Sequence, residues 1–221
     1  MVMRIITLLV LAGALGCDSG SASPPPAGAV VVYAAASLRE AVTDAARAWT
    51  GKSGRPHRLQ FEPTSTLARQ IMEGAPADVF ITAAPEWLDK VTTRERFDWL
   101  SNRLVCVVHK DDKAFDLKSI DSLALADEQV PAGKYGRQAL AKEGIALPKR
   151  TILGHNVRDV LSKVSEGGAK VGIVYATDAR IDPNVRIAYE FPPDRHDKIV
   201  YSVGLLKPEG KGLFEALKEA A

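Results

Sequence analysis

Val30-Val31-Val32-Tyr33-Ala34-Ala35-Ala36-Ser37-Leu38 reads as a buried strand that runs straight into a helix. Three valines and a tyrosine supply the β-branched and aromatic bulk of a strand covered on both faces. The three alanines that follow are too small to obstruct anything approaching the backbone. Ser37 with Glu40 three residues on has the spacing of a capping box. Amide N–H groups at such a helix start have no partner within the helix, and together with the helix dipole they favour an anion. Ser37 can add a hydroxyl donor. Many α/β proteins begin this way, so the stretch alone does not specify a ligand.

The same alternation continues outward from it. Leu38, Val42, Ala45, Ala46 and Trp49 fall at helical spacing, with Gly51 as a stop. The pattern predicts strands over residues 58–61, 78–82 and 103–108, and helices over 66–73 and 85–91. The second half predicts strands at 123–126, 149–153, 170–174, 185–188 and 200–206. Helices are expected at 136–143, at 157–166 behind an Asn156 cap, and at 213–220. This order indicates an α/β protein with mostly parallel sheets flanked by helices. No internal sequence repeat is evident.

The chain has 221 residues, 46% hydrophobic and 25% charged, which suits one large or two small domains. Its net charge of +2 comes from 29 basic and 27 acidic residues without a long basic run, so nucleic-acid binding has no compositional support. Arg4 precedes an apolar stretch over residues 5–16, too short to span a bilayer and typical of a secretory signal. Gly16-Cys17-Asp18 resembles a bacterial lipoprotein cut site, in which the cysteine becomes the lipidated first residue. Ala14 stands where such signals usually carry leucine, and a plain signal peptide with an incidental cysteine is the alternative. Residues 1–17 are therefore expected to be signal and lipidated Cys17, and residues 18–28, rich in Ser, Pro and Gly, a flexible tether. Cys106, inside Leu104-Val105-Cys106-Val107-Val108, reads as a buried structural thiol.

Enzyme templates find no match. His57, His109, His155 and His196 sit in neither a His-Glu-x-x-His helix nor a zinc-type spacing. Gly-x-Ser-x-Gly, the phosphate-binding Lys loop and Gly-x-Gly-x-x-Gly are all absent. What the chain does carry is a set of helix starts with small or hydroxyl residues: Ser37, Thr64-Ser65, Pro131-Ala132-Gly133 and Asn156-Val157. Two facing domains could bring these onto one cleft beyond the carboxyl ends of the strands. By spacing alone, Ser37, Thr64 and Asn156 read equally as ordinary N-caps.

Ala34-Ala35-Ala36-Ser37-Leu38 resembles the opening motif of the periplasmic molybdate-binding proteins that serve ABC importers. Ser65-Thr66-Leu67-Ala68-Arg69-Gln70-Ile71, Gly74-Ala75-Pro76-Ala77-Asp78-Val79-Phe80-Ile81 and Val130-Pro131-Ala132-Gly133-Lys134-Tyr135 match further motifs in order. So do Asn156-Val157-Arg158 and Gly172-Ile173-Val174-Tyr175-Ala176-Thr177-Asp178-Ala179. The resemblance implies a two-lobed periplasmic binding protein fold, each lobe a mostly parallel sheet flanked by helices, with the oxyanion in the cleft between them. It places lobe 1 at residues 29–107 plus 187–221 and an inserted lobe 2 at 108–186, with crossings near Val108 and Tyr189. The family's ligand contacts fall here on the hydroxyls of Ser37 and Thr64, the backbone N–H of Ala132 and Val157, and the phenol of Tyr175. Thr64 stands where the family commonly has a second serine, which adds a methyl and stiffens the side chain. The family pattern usually continues through another short C-terminal element, whereas Ala221 follows soon after Leu217 here.

All five groups supply donors, and none carries a formal charge. A fully deprotonated tetrahedral dianion is satisfied by donors alone, whereas hydrogen phosphate would face its own O–H against another donor. Such mismatches discriminate on the order of 10⁴ or more. The resemblance thus implies capture of molybdate and tungstate outside the cytoplasmic membrane for an ABC permease and its ATPase. It implies a monomeric protein with no cofactor, no metal beyond the oxyanion and no catalysis. Asp18 after Cys17 resembles an inner-membrane retention signal, so the expected location is periplasmic and lipid-anchored to that membrane. A tungstate- or sulfate-preferring protein, and an envelope enzyme acting on an anionic ester, are the alternatives. Arg158 is expected to have a structural role, pairing with a lobe carboxylate such as Asp178.

Overall fold

The computed structural model describes residues 26–220, so the expected signal segment, Cys17 and most of the tether lie outside the described residues. Strand β1 (Val30–Ala35) is buried along its whole length. Val30, Val32 and Ala34 pack into one apolar cluster, and Val31 and Tyr33 into another on the opposite face. A strand covered on both faces cannot alternate polar with apolar, hence the unbroken valine run. From β1 the chain passes through a 3₁₀ turn (Ala36–Leu38) into α1 (Arg39–Ser53), then β2 (His57–Glu62), α2 (Thr64–Met72) and β3 (Val79–Thr82). A 3₁₀ segment (Pro85–Lys90) stands where a helix was expected over 85–91, and β4 (Glu95–Ser101) follows.

The chain then crosses to a second sheet through Asn102 and Arg103. There it forms β5 (Leu104–His109), β6 (Ser122–Ala126), α3 (Pro131–Lys142), β7 (Arg150–Gly154), α4 (Val157–Ser165), β8 (Val171–Tyr175), α5 (Ala176–Ala179) and β9 (Val185–Glu190). It returns through residues 191–199 to β10 (Val200–Leu205) and ends in α6 (Lys211–Glu219). The strand orders are β2-β1-β3-β10-β4 and β7-β6-β8-β5-β9. In each sheet one strand, β10 or β5, runs against both neighbours, and it is the strand that follows a crossing. The two sheets therefore share one topology although their sequences show no repeat.

Two expectations need correction. The crossings lie at residues 102–103 and 191–199 rather than near Val108 and Tyr189. β5 pairs with β8 and β9 throughout, so residues 104–107 and 187–190 belong to the second sheet, not the first. The apolar run at 104–108 suits the centre of either sheet, and only its tertiary pairing decides between them. Strand β4 was not foreseen: it carries only Phe97, Trp99 and Leu100 as large apolar residues, and of these Phe97 and Trp99 pack on the core. The described residues include no helix long and apolar enough to cross a membrane.

Candidate functional site

The shared topology puts equivalent strand ends opposite each other across the cleft. Ser37 follows β1 and Thr64 follows β2, while Ala132 follows β6, Val157 follows β7, and Tyr175 ends β8. These five residues line one cavity. Ala35, Ala36, Pro63 and Ala83 complete its first-lobe wall, and Val130, Pro131 and Asn156 its second-lobe wall. The space open to the centre of a water-sized sphere is ≈ 20 Å³. One water needs about 10–15 Å³ by that measure, so the guest is limited to a few heavy atoms. No charged side chain among the described residues lines it.

Each donor is left free for a local reason. Asn156 Oδ1 caps α4 by accepting from Arg158 N at 2.8 Å and Asp159 N at 3.0 Å. That satisfies the second and third amides of the helix and leaves the first, Val157 N–H, for the cavity. At α3, Pro131 occupies the first position and no side chain caps the helix, so Ala132 supplies its first amide N–H. Helix α3 starts at Pro131, not near residue 136, and α2 starts at Thr64, not Thr66. Thr64 is therefore inside the first turn and is not a cap. Its Oγ1 accepts from Ala83 N–H at 3.1 Å, while Ser37 Oγ accepts from the Tyr201 hydroxyl at 3.1 Å. Both hydroxyls thus keep a proton to give. Tyr175 is 2% exposed, and its Oη has no hydrogen-bond partner among the described residues. Burial holds its phenol well above the ordinary range, so it stays a neutral donor.

The predicted capping box does not form. Neither Ala35 before the 3₁₀ turn nor Leu38 before α1 is capped by a side chain, and Glu40 faces the other lobe instead. Arg158 Nη1 reaches Glu40 Oε1 at 3.0 Å, and its Nη2 reaches the Ser37 carbonyl at 3.4 Å. Its Nε lies against Asp178, which is fully buried. Burial pushes the Asp178 carboxyl up to about 7 against the pull of Arg158. Burial also acts upward on Glu40, but the Arg158 guanidinium prevails and holds its carboxyl below the ordinary range. Lys134 Nζ to Glu86 at 2.8 Å and the Tyr135 hydroxyl to the Ala83 carbonyl at 3.4 Å join the lobes on the other flank. The lobes are closed on each other in this structure.

The family of bacterial extracellular solute-binding proteins matches residues 30–218. The chain belongs to that family. "Molybdate-binding protein ModA" of Escherichia coli (strain K12) is 35% identical to it over 210 residues, spanning 86% of this chain and 81% of the relative. The "Putative ABC transporter substrate-binding lipoprotein YvgL" of Bacillus subtilis (strain 168) is 30% identical, spanning 92% and 86%. The solved periplasmic molybdate-binding protein of Azotobacter vinelandii superposes with a TM-score of 0.72 at 20% identity, covering 86% of this chain and 91% of that one. The two-lobed α/β fold is thereby established, and the protein is placed outside the cytoplasm with its family. Cys106 is buried and unpaired, and burial pushes its thiol far up, which suits an inert core residue.

Reading the sequence did not anticipate Ala83 in the cavity wall, Asn102 and Tyr201 behind it, or the cross-cleft contact of Glu40. Each acts through a contact distant in sequence. Asn102 and Tyr201 are 99 residues apart, and Arg158 and Glu40 are 118 apart. Only Arg158 with Asp178 was anticipated, and the two do pair.

Proposed function

We propose that this protein captures molybdate, and tungstate with it, outside the cytoplasmic membrane and delivers it to an ABC permease and its ATPase. The observation that carries this is a small cavity with no charged side chain among its described lining residues, on which the hydroxyls of Ser37 and Thr64 keep a proton to give and the Tyr175 hydroxyl has no partner among the described residues. A buried hydroxyl without a partner costs about 1–3 kcal/mol, which a bound acceptor removes. Ser37 and Thr64 from the first lobe, and Ala132, Val157 and Tyr175 from the second, are the proposed ligands. The Escherichia coli and Azotobacter vinelandii relatives are named as molybdate-binding proteins, which supports this choice of oxyanion. Because both lobes contribute donors, the guest favours closure, and the closed form identifies loaded molecules to the transporter. Cys17 is the proposed lipid attachment point, with residues 18–28 as tether, and two acyl chains there would hold the monomer stably at the inner membrane. Binding, not turnover, is the proposed activity.

Calorimetry of the purified protein with molybdate, tungstate, sulfate and phosphate tests this. Tight binding of the first two is expected, with weaker sulfate binding because the smaller ion cannot reach every donor. Hydrogen phosphate is expected to be excluded. Equal or absent binding of all four overturns the reading.

A further inference from the structure

A hydroxyl can give or accept, and which it offers a guest depends on what already occupies its other side. On the Ser37 side of the cavity that choice traces back to one group that cannot reverse. The backbone N–H of Arg103 can only donate, and it donates to Asn102 Oδ1 at 2.9 Å. This fixes the amide so that Nδ2 faces Tyr201 Oη at 2.9 Å and Thr177 Oγ1 at 2.8 Å. With a lone pair of Oη taken, the Tyr201 proton goes to Ser37 Oγ at 3.1 Å. The Ser37 proton then has only the cavity. A guest O–H aimed at Oγ would strand that proton in a buried site.

We propose that Asn102 and Tyr201 are positioning residues that fix the direction of the Ser37 hydroxyl and so make the cavity selective for oxyanions carrying no proton. The proposal rests on the reading of this cavity as an oxyanion site. Asn102 sits in the crossing between the sheets, and the same amide reaches Thr177 of the second lobe and Tyr201 of the first. The selectivity is therefore set at the crossing, outside the cavity wall.

Asn102→Asp tests it by reversing the relay at nearly constant shape. The carboxylate still accepts from Arg103 N–H, but now also accepts the Tyr201 proton. Ser37 then donates to Tyr201 Oη and presents lone pairs to the guest. Affinities for molybdate and hydrogen phosphate are compared by competition calorimetry in mildly alkaline buffer, where both are dianions, so the added charge acts equally on each. The molybdate preference is expected to narrow by roughly ten- to a hundredfold, the scale of one stranded donor. Tyr201→Phe cuts the relay, so adding Asn102→Asp to it should leave the preference unchanged. Asn102→Ala, which lets solvent take the Tyr201 proton, should narrow it in the same direction by a smaller factor, and it stands in if the aspartate variant does not fold. Equal weakening of both ions, or narrowing that persists beside Tyr201→Phe, overturns the proposal. Failure of the unmodified protein to bind molybdate in the same assay instead overturns the functional reading.

Discussion

Arg158 of the second lobe rests its Nε against Asp178, which is 0% exposed, while its Nη atoms cross the cleft to Glu40 of the first lobe. One guanidinium thereby partners a buried carboxyl in its own lobe and fastens that lobe to the other. A buried carboxylate stays charged only beside such a partner. Because Arg158 directly follows Val157, the same pair also fixes the helix start that offers its amide to the cavity.

Asp178 gives the fold a pH dependence of definite sign. Its carboxyl is raised from 3.8 to about 7, first by burial. The folded protein therefore holds a proton that the unfolded chain has already released. Stability from this group is fully present below pH 3.8 and is lost as pH climbs through about 7. Denaturant melts of the unmodified protein and Asp178→Asn across this range should show the former losing on the order of 2–4 kcal/mol relative to the variant. Parallel profiles would show that Asp178 is ionised throughout.

Glu40 is half-exposed at its end of the bridge. Exposed pairs contribute about 0.2–1 kcal/mol, so Glu40→Gln should loosen the closed form modestly. Stopped-flow dissociation of molybdate is expected to quicken roughly two- to fivefold, with the effect fading at high salt. The preference for molybdate over hydrogen phosphate should not move, because no cavity donor changes. A changed preference would mean that Glu40 acts on the guest itself.

How far the sequence anticipates this site follows from where each signal is local. The valine run of β1 announces a strand buried on both faces, and Asn156 before an apolar helix announces a cap; both arise within a few residues. The five residues proposed as ligands were named through the family motifs around them, and the structure brings all five to one cavity. Strand β4 was not, because only Phe97 and Trp99 turn to the core, between charged neighbours. The Phe97-x-Trp99 alternation was the available signal. Sheet membership of β5 was not legible either, since an apolar run states burial and not partner. Glu40 misled: its spacing from Ser37 fits a capping box, but no side chain caps this helix start and the carboxylate pairs with Arg158 across the cleft.

Tyr175→Phe separates binding from stability. The variant removes a buried hydroxyl that has no partner among the described residues, so the thermal midpoint without ligand is expected to rise, by about 1 kcal/mol in unfolding free energy. It also removes a donor to a charged guest, at about 1.5–3 kcal/mol, so molybdate should bind roughly ten- to a hundredfold more weakly. Calorimetry and thermal melts on one preparation read both effects. A fall in the ligand-free midpoint would show that the hydroxyl is satisfied by the protein and is not held for a guest.

Gly133 shows how closely the α3 start must approach the β6 end. A Cβ there would overlap the backbone carbonyl oxygens of Asp127 and Ala126, neither of which is a flexible side-chain tip that can swing away. Gly133→Ala must therefore shift the first turn of α3, and with it the Ala132 amide beside the cavity. Alanine favours a helix over glycine by about 0.5–1 kcal/mol, so propensity alone predicts a more stable protein. The backbone overlap predicts the reverse, a loss of about 1–3 kcal/mol as for other overpacked sites. It also predicts at least tenfold weaker molybdate binding, because a displaced amide no longer meets the guest. Melts and calorimetry on Gly133→Ala decide between the two: a stabilised variant with unchanged affinity would mean that the helix start tolerates movement, and that the Ala132 amide is not a ligand.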